Sequence, residues 1–305
     1  MGPFFQKYLS QIKNNPKDPL AYHKMGEALL MKGHPQEAIG FLRKSILVGG
    51  SSFDAHFHLG KAFSLLSCHE LAIEHFEKAF LINPNNKENK HLYYSLSGKK
   101  IDRAHGDYVK ALFDSYAEGF DEHLEELNYK TPSLLAEFSK TFKARYNHVL
   151  DLGCGTGLIG QELKAFTKSL IGVDLSPKML TRARKKNIYN ELVENDILDY
   201  LDQTEKCFDL VILGDTIPYL GSLEVLFEKV KRVLDKNGSF FFSAEKADKD
   251  WTLSKQGRFK HSQVYLKGLS SKFGFASHFH TIVLREEKGV EVQGILFGGL
   301  LDITL

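Results

Sequence analysis

The chain has 305 residues, 43% of them apolar and 26% charged, with a formal net charge of +2. That length exceeds one ordinary domain and suits two, and the balance excludes a disordered chain. No apolar run reaches the roughly 18 residues that span a bilayer, and MGPFFQKYLS lacks a secretion signal's apolar stretch, so a cytoplasmic protein without a membrane role is expected.

Charge divides unevenly: residues 1–100 hold 13 Lys+Arg against 8 Asp+Glu, and the remainder 27 against 30. The surplus is too small to imply nucleic acid and mildly favours an acidic partner for the first part. Cys68, Cys154 and Cys207 form no Cys-x-x-Cys pair, so neither a disulfide framework nor a zinc site is expected, and no metal is assigned.

Residues 19–52 align on residues 53–86 at a shift of 34. Tyr22 pairs with His56, Met25 with Leu59, Gly26 with Gly60, Leu29 with Phe63, Ala38 with Ala72, Leu42 with Phe76, and Ser45 with Ala79. A 34-residue period with Gly and Ala at these offsets describes two antiparallel helices per unit. The glycines and alanines let the paired helices approach closely. The pattern resembles tetratricopeptide repeats. Two copies need flanking helices, for which residues 3–13 and 87–97 are the candidates. Such a stack either holds a peptide or protein partner in its groove or shapes the entrance of the second domain. SLSGKKID, residues 95–102, marks the boundary, giving domains 1–100 and 101–305.

Residues 113–132, FDSYAEGFDEHLEELNYKTP, place Phe113, Tyr116 and Phe120 at helical spacing. From residue 147 the pattern changes. NHVLDL, KSLIGVD, ELVEN, CFDLVILG and GSFFFSAE read as strands alternating with helices, which predicts a parallel sheet covered on both faces, with ligands beyond the carboxyl ends of its strands. Residues 275–286 and 290–304 read as a closing hairpin around a glycine turn.

VLDLGCGTGLIG, residues 149–160, lies at one such strand end. Its GTGLIG formally matches G-x-G-x-x-G, the fingerprint of a dinucleotide site that presents backbone N–H groups to pyrophosphate. Asp151 argues against that ligand, because a carboxylate in the same turn repels phosphate and favours an ammonium or sulfonium. S-adenosylmethionine carries both. Gly153, Gly155 and Gly157 would let the backbone pass beneath it, and Asp174 in IGVDLSPKML, 21 residues after Gly153, is placed to accept ribose hydroxyls.

On those two motifs, residues 101–305 resemble the class I S-adenosylmethionine-dependent methyltransferases. With the repeats included, the likeness is to bacterial predicted methyltransferases that carry tetratricopeptide repeats. The resemblance implies a Rossmann-like α/β methyltransferase domain, with a seven-stranded sheet in the order 3-2-1-4-5-7-6, behind an all-α tetratricopeptide-repeat domain. It implies a cofactor set running through Asp151, Leu152, Gly153, Cys154, Gly155, Thr156 and Gly157. Asp174 would bind ribose, Leu175 and Met179 would flank adenine, and Asp196 with Ile197 would meet the adenine amine and ring nitrogen. Ser176 and Asn195 belong to the same set, Gly214 and Asp215 would lie beside the methyl donor, and Tyr116 would close over it as a lid.

Methyl transfer from a sulfonium needs alignment and dryness more than a base. Where the acceptor must lose a proton, Asp215, Tyr219 and His261 are the candidates, His261 by its position at the start of the helix after the fifth strand. GDTIPYLG departs from the Asn/Asp-Pro-Pro-Tyr of enzymes that methylate nucleic-acid bases, which argues against DNA. The expected function is methyl transfer to a small molecule or protein whose identity, and whose O, N or C atom, stays open. The alternative is an interaction module whose second domain is regulatory or inactive.

Overall fold

The computed structural model describes residues 3–287 and 289–301, which fall into two compact units. The first comprises residues up to Ile101 together with Ser254–Gly257, and the second takes in Asp102–Leu253 and the residues from Arg258 onward.

Six helices build the first unit: α1 (Pro3–Asn14), α2 (Pro19–Met31), α3 (Pro35–Gly49), α4 (Phe53–Leu65), α5 (His69–Ile82) and α6 (Lys87–Ser97). Local chemistry sets their starts, since Asp18, Ser52 and Asn86 each accept a backbone N–H of the following turn, and Pro19 and Pro35 occupy first helical positions. The 34-residue spacing has a direct physical counterpart. A Cβ on Gly26 would come within 2.6 Å of Leu42, and one on Gly60 within 2.6 Å of Phe76, so equivalent glycines admit equivalent core side chains. Leu42, Ala38, Ala72 and Phe76 are fully buried. Phe5, Tyr8 and Ile12 of α1 cover one end of this core, and Tyr93 and Leu96 of α6 belong to it.

The second unit begins with α7 (Gly106–Tyr116), α8 (Phe120–Glu126) and α9 (Thr131–Lys140). It continues with β1 (Tyr146–Leu152), α10 (Leu158–Leu163), β2 (Thr167–Asp174), α11 (Pro177–Lys186), β3 (Glu191–Glu194), α12 (Ile197–Gln203) and β4 (Phe208–Leu213). After β4 come α13 (Glu224–Val233), β5 (Leu234–Lys246), β6 (Trp251–Leu253), β7 (Phe259–His261), α14 (Gln263–Phe273), β8 (Phe275–Glu287) and β9 (Val290–Leu301). Alternate residues of the central strands feed two cores. Leu150, Leu152, Val211, Leu213, Phe240 and Phe242 pack on one face of the sheet, and Val149, Leu210, Ile212 and Phe241 on the other, against Leu135 and Phe138 of α9.

Strands β3, β2, β1, β4 and β5 lie side by side in that order and are parallel, the arrangement of a Rossmann-like methyltransferase fold. The hairpin follows, with β9 antiparallel to β5 from Ser239↔Leu300 to Glu245↔Gly294 and β8 outside it. Residues 302–304 of the expected second hairpin strand lie outside the described residues. Among the described residues the sheet has nine strands, which corrects the expected seven. The extra pair is β6 and β7: β5 runs on to Lys246, and its last two residues pair with Lys260 and His261. Strands of three residues carry no readable periodicity, so the sequence did not announce them. Among the described residues no helix is long and apolar enough to cross a membrane.

Candidate active site

Beyond the carboxyl ends of β1, β2 and β4 lies a cavity of about 560 Å³. Its floor is the turn after β1. Gly153, Gly155 and Gly157 have φ of +73°, +54° and +91°, a run of left-handed conformations that side chains resist. Only Gly155 faces open space. A Cβ on Gly153 would strike Thr216 at 2.1 Å, and one on Gly157 would reach Tyr189 at 3.0 Å. Two of the three glycines therefore accommodate protein side chains, which corrects the expectation that all three clear a path for ligand.

Asp151 borders this cavity and is fully buried. Its Oδ2 accepts the Tyr189 hydroxyl at 2.7 Å, while Oδ1 has no hydrogen-bond partner among the described residues. Burial pushes its carboxyl up to about 7, against the pull of the Tyr189 hydrogen bond. Asp174, at the end of β2, accepts the Gly155 and Ser176 N–H groups at 2.8 Å each. Burial raises its pKa as well, with those backbone donors opposing. A buried, half-satisfied carboxylate beside an open glycine suits a ligand that brings a cationic donor, and an anionic pyrophosphate would worsen it.

The far wall holds Leu175, Asp196 and Ile197. Asp196 also caps α12 by accepting the Leu198 N–H at 2.9 Å, and it pairs with Arg103. Over the opening stand α7 and α8. Tyr116 is 54% exposed, yet Phe113, Tyr116, Phe120, His123 and Leu124 all line the cavity. Phe113 meets Phe120 and Tyr219 edge-on, at 6.2 and 5.3 Å between ring centroids. Phe113 and Phe120 therefore line the cavity as well as packing on one another. Thr156 is tied to this cover through Asp121 of α8, which also pairs with Lys186 at 2.8 Å.

Gly214, Asp215 and Tyr219 line the remaining side. Asp215 has φ +49°, its Oδ1 accepts the Ser243 hydroxyl at 2.8 Å, and its Oδ2 lies 3.3 Å from Arg285. Burial raises its pKa while Arg285 opposes the rise. Burial also raises that of the Tyr219 phenol. Around Arg285 gathers a charged group that local sequence gave no sign of: Glu245 from β5, Glu287 from β8, and Arg258 just before β7. Arg285 bonds Glu245 and, at 2.7 Å, Glu287; Arg258 lies 2.6 Å from Glu245 and 2.9 Å from Glu287. A register shift between Val283 and Arg285 lets Leu284 and Arg285 both turn inward on consecutive residues.

The cavity also takes in Cys154 and Thr156. It does not take in Leu152, Gly157, Ser176, Met179, Asn195 or His261. Leu152 and Met179 are core side chains, and Ser176 caps α11 and donates to Asp114 at 2.6 Å. Asn195 donates its side-chain amide to Gln203 and its backbone N–H to the Asp174 carbonyl. His261 is the last residue of β7, not the start of a helix. It is fully buried, its Nε2 is 2.7 Å from the Gly221 carbonyl, and burial lowers it to about 4. Tyr129, Arg103, Arg258, Arg285 and Glu287 line the cavity without having been singled out.

Residues 150–242 match the family model described as a methyltransferase domain. That segment of the second unit is similar to methyltransferase domains. The matched segment holds Asp151, the glycine turn, Asp174, Asp196 and Asp215, all of which border the cavity. Over 140 residues the chain is 30% identical to a malonyl-(acyl-carrier protein) O-methyltransferase of Legionella pneumophila, covering 44% of this chain and 49% of that protein. Over 102 residues it is 24% identical to a mitochondrial ubiquinone biosynthesis O-methyltransferase of Mus musculus, covering 31% and 28%. The chain spans about half the length, or less, of these relatives. Among solved structures, a magnesium protoporphyrin IX methyltransferase from Synechocystis with bound S-adenosylhomocysteine shares the fold, with a TM-score of 0.50, 15% identity, and coverage of 65% of this chain and 99% of that one.

Proposed function

We propose that the protein is an S-adenosylmethionine-dependent methyltransferase acting on a small-molecule or protein acceptor, and that its first unit is a tetratricopeptide-type stack serving a partner or the acceptor. The observation that carries the enzymatic reading is the buried Asp151 carboxylate with one unpartnered oxygen, beside Gly155, the one glycine of the turn that faces open space. Asp151 would hold the cofactor's ammonium group, Asp174 its ribose hydroxyls, and Leu175, Asp196 and Ile197 its adenine. The bound cofactor supplies an activated methyl group.

The chain's own residues then have two tasks. Phe113, Tyr116, Phe120 and Leu124 cover the reactants and exclude water, which favours an in-line displacement between aligned partners. Asp215 and Tyr219 border the acceptor's side. Asp215 is the one carboxylate among the three candidates, and it borders the cavity, with Arg285 opposing the rise in its pKa that burial causes. The names of both relatives suggest an oxygen acceptor, and one of them names a malonyl group on acyl-carrier protein. Arg258, Arg285 and Glu287, the charged wall of the cavity, lie outside the matched residues 150–242, so the acceptor does not carry over with the cofactor site.

Isothermal titration with S-adenosylmethionine tests the cofactor, with Asp174→Ala as the control expected to lose binding. No binding by the wild type at about 1 mM would end the reading. Labelled methyl transfer into a cell extract tests the enzyme. Label in protein or in small metabolites supports it and sorts the acceptor, while cofactor binding with no transfer to any extract favours an interaction module regulated by the cofactor.

A further inference from the structure

The third glycine of the turn after β1, Gly157, and two glycines that follow it are shaped around one side chain the cofactor reading does not use. A Cβ at Gly157 would lie 3.0 Å from the Tyr189 ring, one at Gly160 2.5 Å from its hydroxyl, and one at Gly172 2.8 Å from its ring. Three glycines, from the turn, α10 and β2, thus vacate the volume that Tyr189 fills. The ring reaches there from the short connection between α11 and β3, and its hydroxyl ends 2.7 Å from Asp151 Oδ2. That hydrogen bond is the one side-chain bond Asp151 makes among the described residues, and the other oxygen is left buried and unpartnered.

We infer that Tyr189 is a positioning residue for the cofactor: its hydroxyl fixes the Asp151 carboxylate so that Oδ1 is the oxygen presented to the cofactor's ammonium group. The inference rests on the cofactor reading above. A carboxylate free to rotate in a buried site would settle both oxygens on whatever donors were near. Here the phenol occupies one oxygen, and the only unmet acceptor is the second. The phenol also favours the ionised carboxylate, because it donates to an oxygen that is a better acceptor when charged. The other titratable groups bearing on Asp151 are the Asp174 carboxylate, the Cys154 thiol and the Tyr129 phenol. Asp174 is the one that adds negative charge, and it opposes ionisation of Asp151. Tyr189 is the group that offsets it.

The test is the pH dependence of S-adenosylhomocysteine binding, from pH 5.5 to 8.5, in wild type and Tyr189→Phe. The ligand carries the ammonium without the sulfonium, and the substitution keeps the ring that fills the glycine-lined space. Wild-type affinity is expected to rise about tenfold per pH unit below a midpoint near 7 and then level off. In Tyr189→Phe the midpoint moves up by at least half a unit, affinity at pH 6.5 drops three- to tenfold, and the two proteins converge towards pH 8.5. A purely structural role would lower affinity equally at every pH, and that result overturns the inference, as do superimposable profiles. If Tyr189→Phe does not fold, wild type carrying 3-fluorotyrosine replaces it. The more acidic phenol donates a stronger hydrogen bond to Asp151, so a binding midpoint that moves down supports the role, and an unmoved midpoint overturns it. Wild type that binds neither cofactor nor product at 1 mM sinks the cofactor reading itself, whereas binding with unshifted profiles sinks only the role of Tyr189.

Discussion

Asp151→Asn is expected to make the ligand-free protein more stable at pH 8 while it destroys cofactor binding. Burial raises the Asp151 pKa from 3.8 to about 7, a difference of about three units, or roughly 4 kcal/mol at about 1.4 kcal/mol per unit. The folded-state pKa lies above the unfolded one, so between pH 4 and 7 the folded protein holds a proton that the unfolded chain has released. Stability contributed by the neutral form is therefore present below pH 4 and is lost as pH rises through 7. Asparagine stays neutral throughout and keeps an oxygen for the Tyr189 hydroxyl. Its amide N–H groups take the place of the unpartnered Oδ1, at a cost of about 1–3 kcal/mol. The net gain at pH 8 is about 1–3 kcal/mol, and at pH 4 the variant is less stable than wild type by that same desolvation cost. Losing the buried charge opposite an ammonium should weaken S-adenosylhomocysteine binding by about 2–5 kcal/mol, or roughly 30- to 4,000-fold. Thermal denaturation at pH 4 and pH 8, paired with titration calorimetry, measures both effects. A variant that is less stable at pH 8, or that binds the ligand as wild type does, would refute the argument that Asp151 is held in an unfavourable state for a cation.

Gly60→Ala, which would bring a Cβ within 2.6 Å of the fully buried Phe76, should lower the stability of the helical unit by about 1–3 kcal/mol in circular-dichroism melts. The same unit should lose stability as pH falls from about 6.5 towards 4. His23, His56, His58 and His75 are all lowered by burial, His75 to about 4, so the unfolded chain binds more protons in that window; helical signal that is flat across it would count against this. Arg285→Ala should cost about 3–5 kcal/mol, because it strips Glu245, 1% exposed, of one of its two guanidinium partners, and adding Glu245→Gln should recover part of that loss in a denaturant titration.

The side of the cavity built by Asp151, the glycine turn and Asp174 was legible because its signals are local. Asp151 and the turn after it occupy one short stretch, and Asp174 ends the next strand, so spacing along the chain maps onto spacing in the cavity. The side built by Asp215 and Arg285 was not. Asp215 and Arg285 meet across 70 residues, and Arg285 owes its inward turn to a register shift that no pattern of apolar residues marks. Position along the chain also misled. His261 does follow the fifth strand, but β5 extends far enough to need another partner, and His261 is drawn into that small strand pair and onto the Gly221 carbonyl. The G-x-G-x-x-G pattern was formally present for a different reason than the one it usually signals. Gly157 and Gly160 make room for Tyr189, and the phenol they admit ends on the carboxylate that disfavours a phosphate ligand. In the helical unit the 34-residue shift was readable because the contacts repeat with it: Gly26 against Leu42 becomes Gly60 against Phe76.

The most direct test is a crystal structure of the protein with S-adenosylhomocysteine. The account predicts the ligand's amine nitrogen within about 3 Å of Asp151 Oδ1 and its ribose hydroxyls on Asp174. An amine bound elsewhere with Oδ1 still unpartnered, or a dinucleotide whose pyrophosphate lies over residues 153–157, would contradict it.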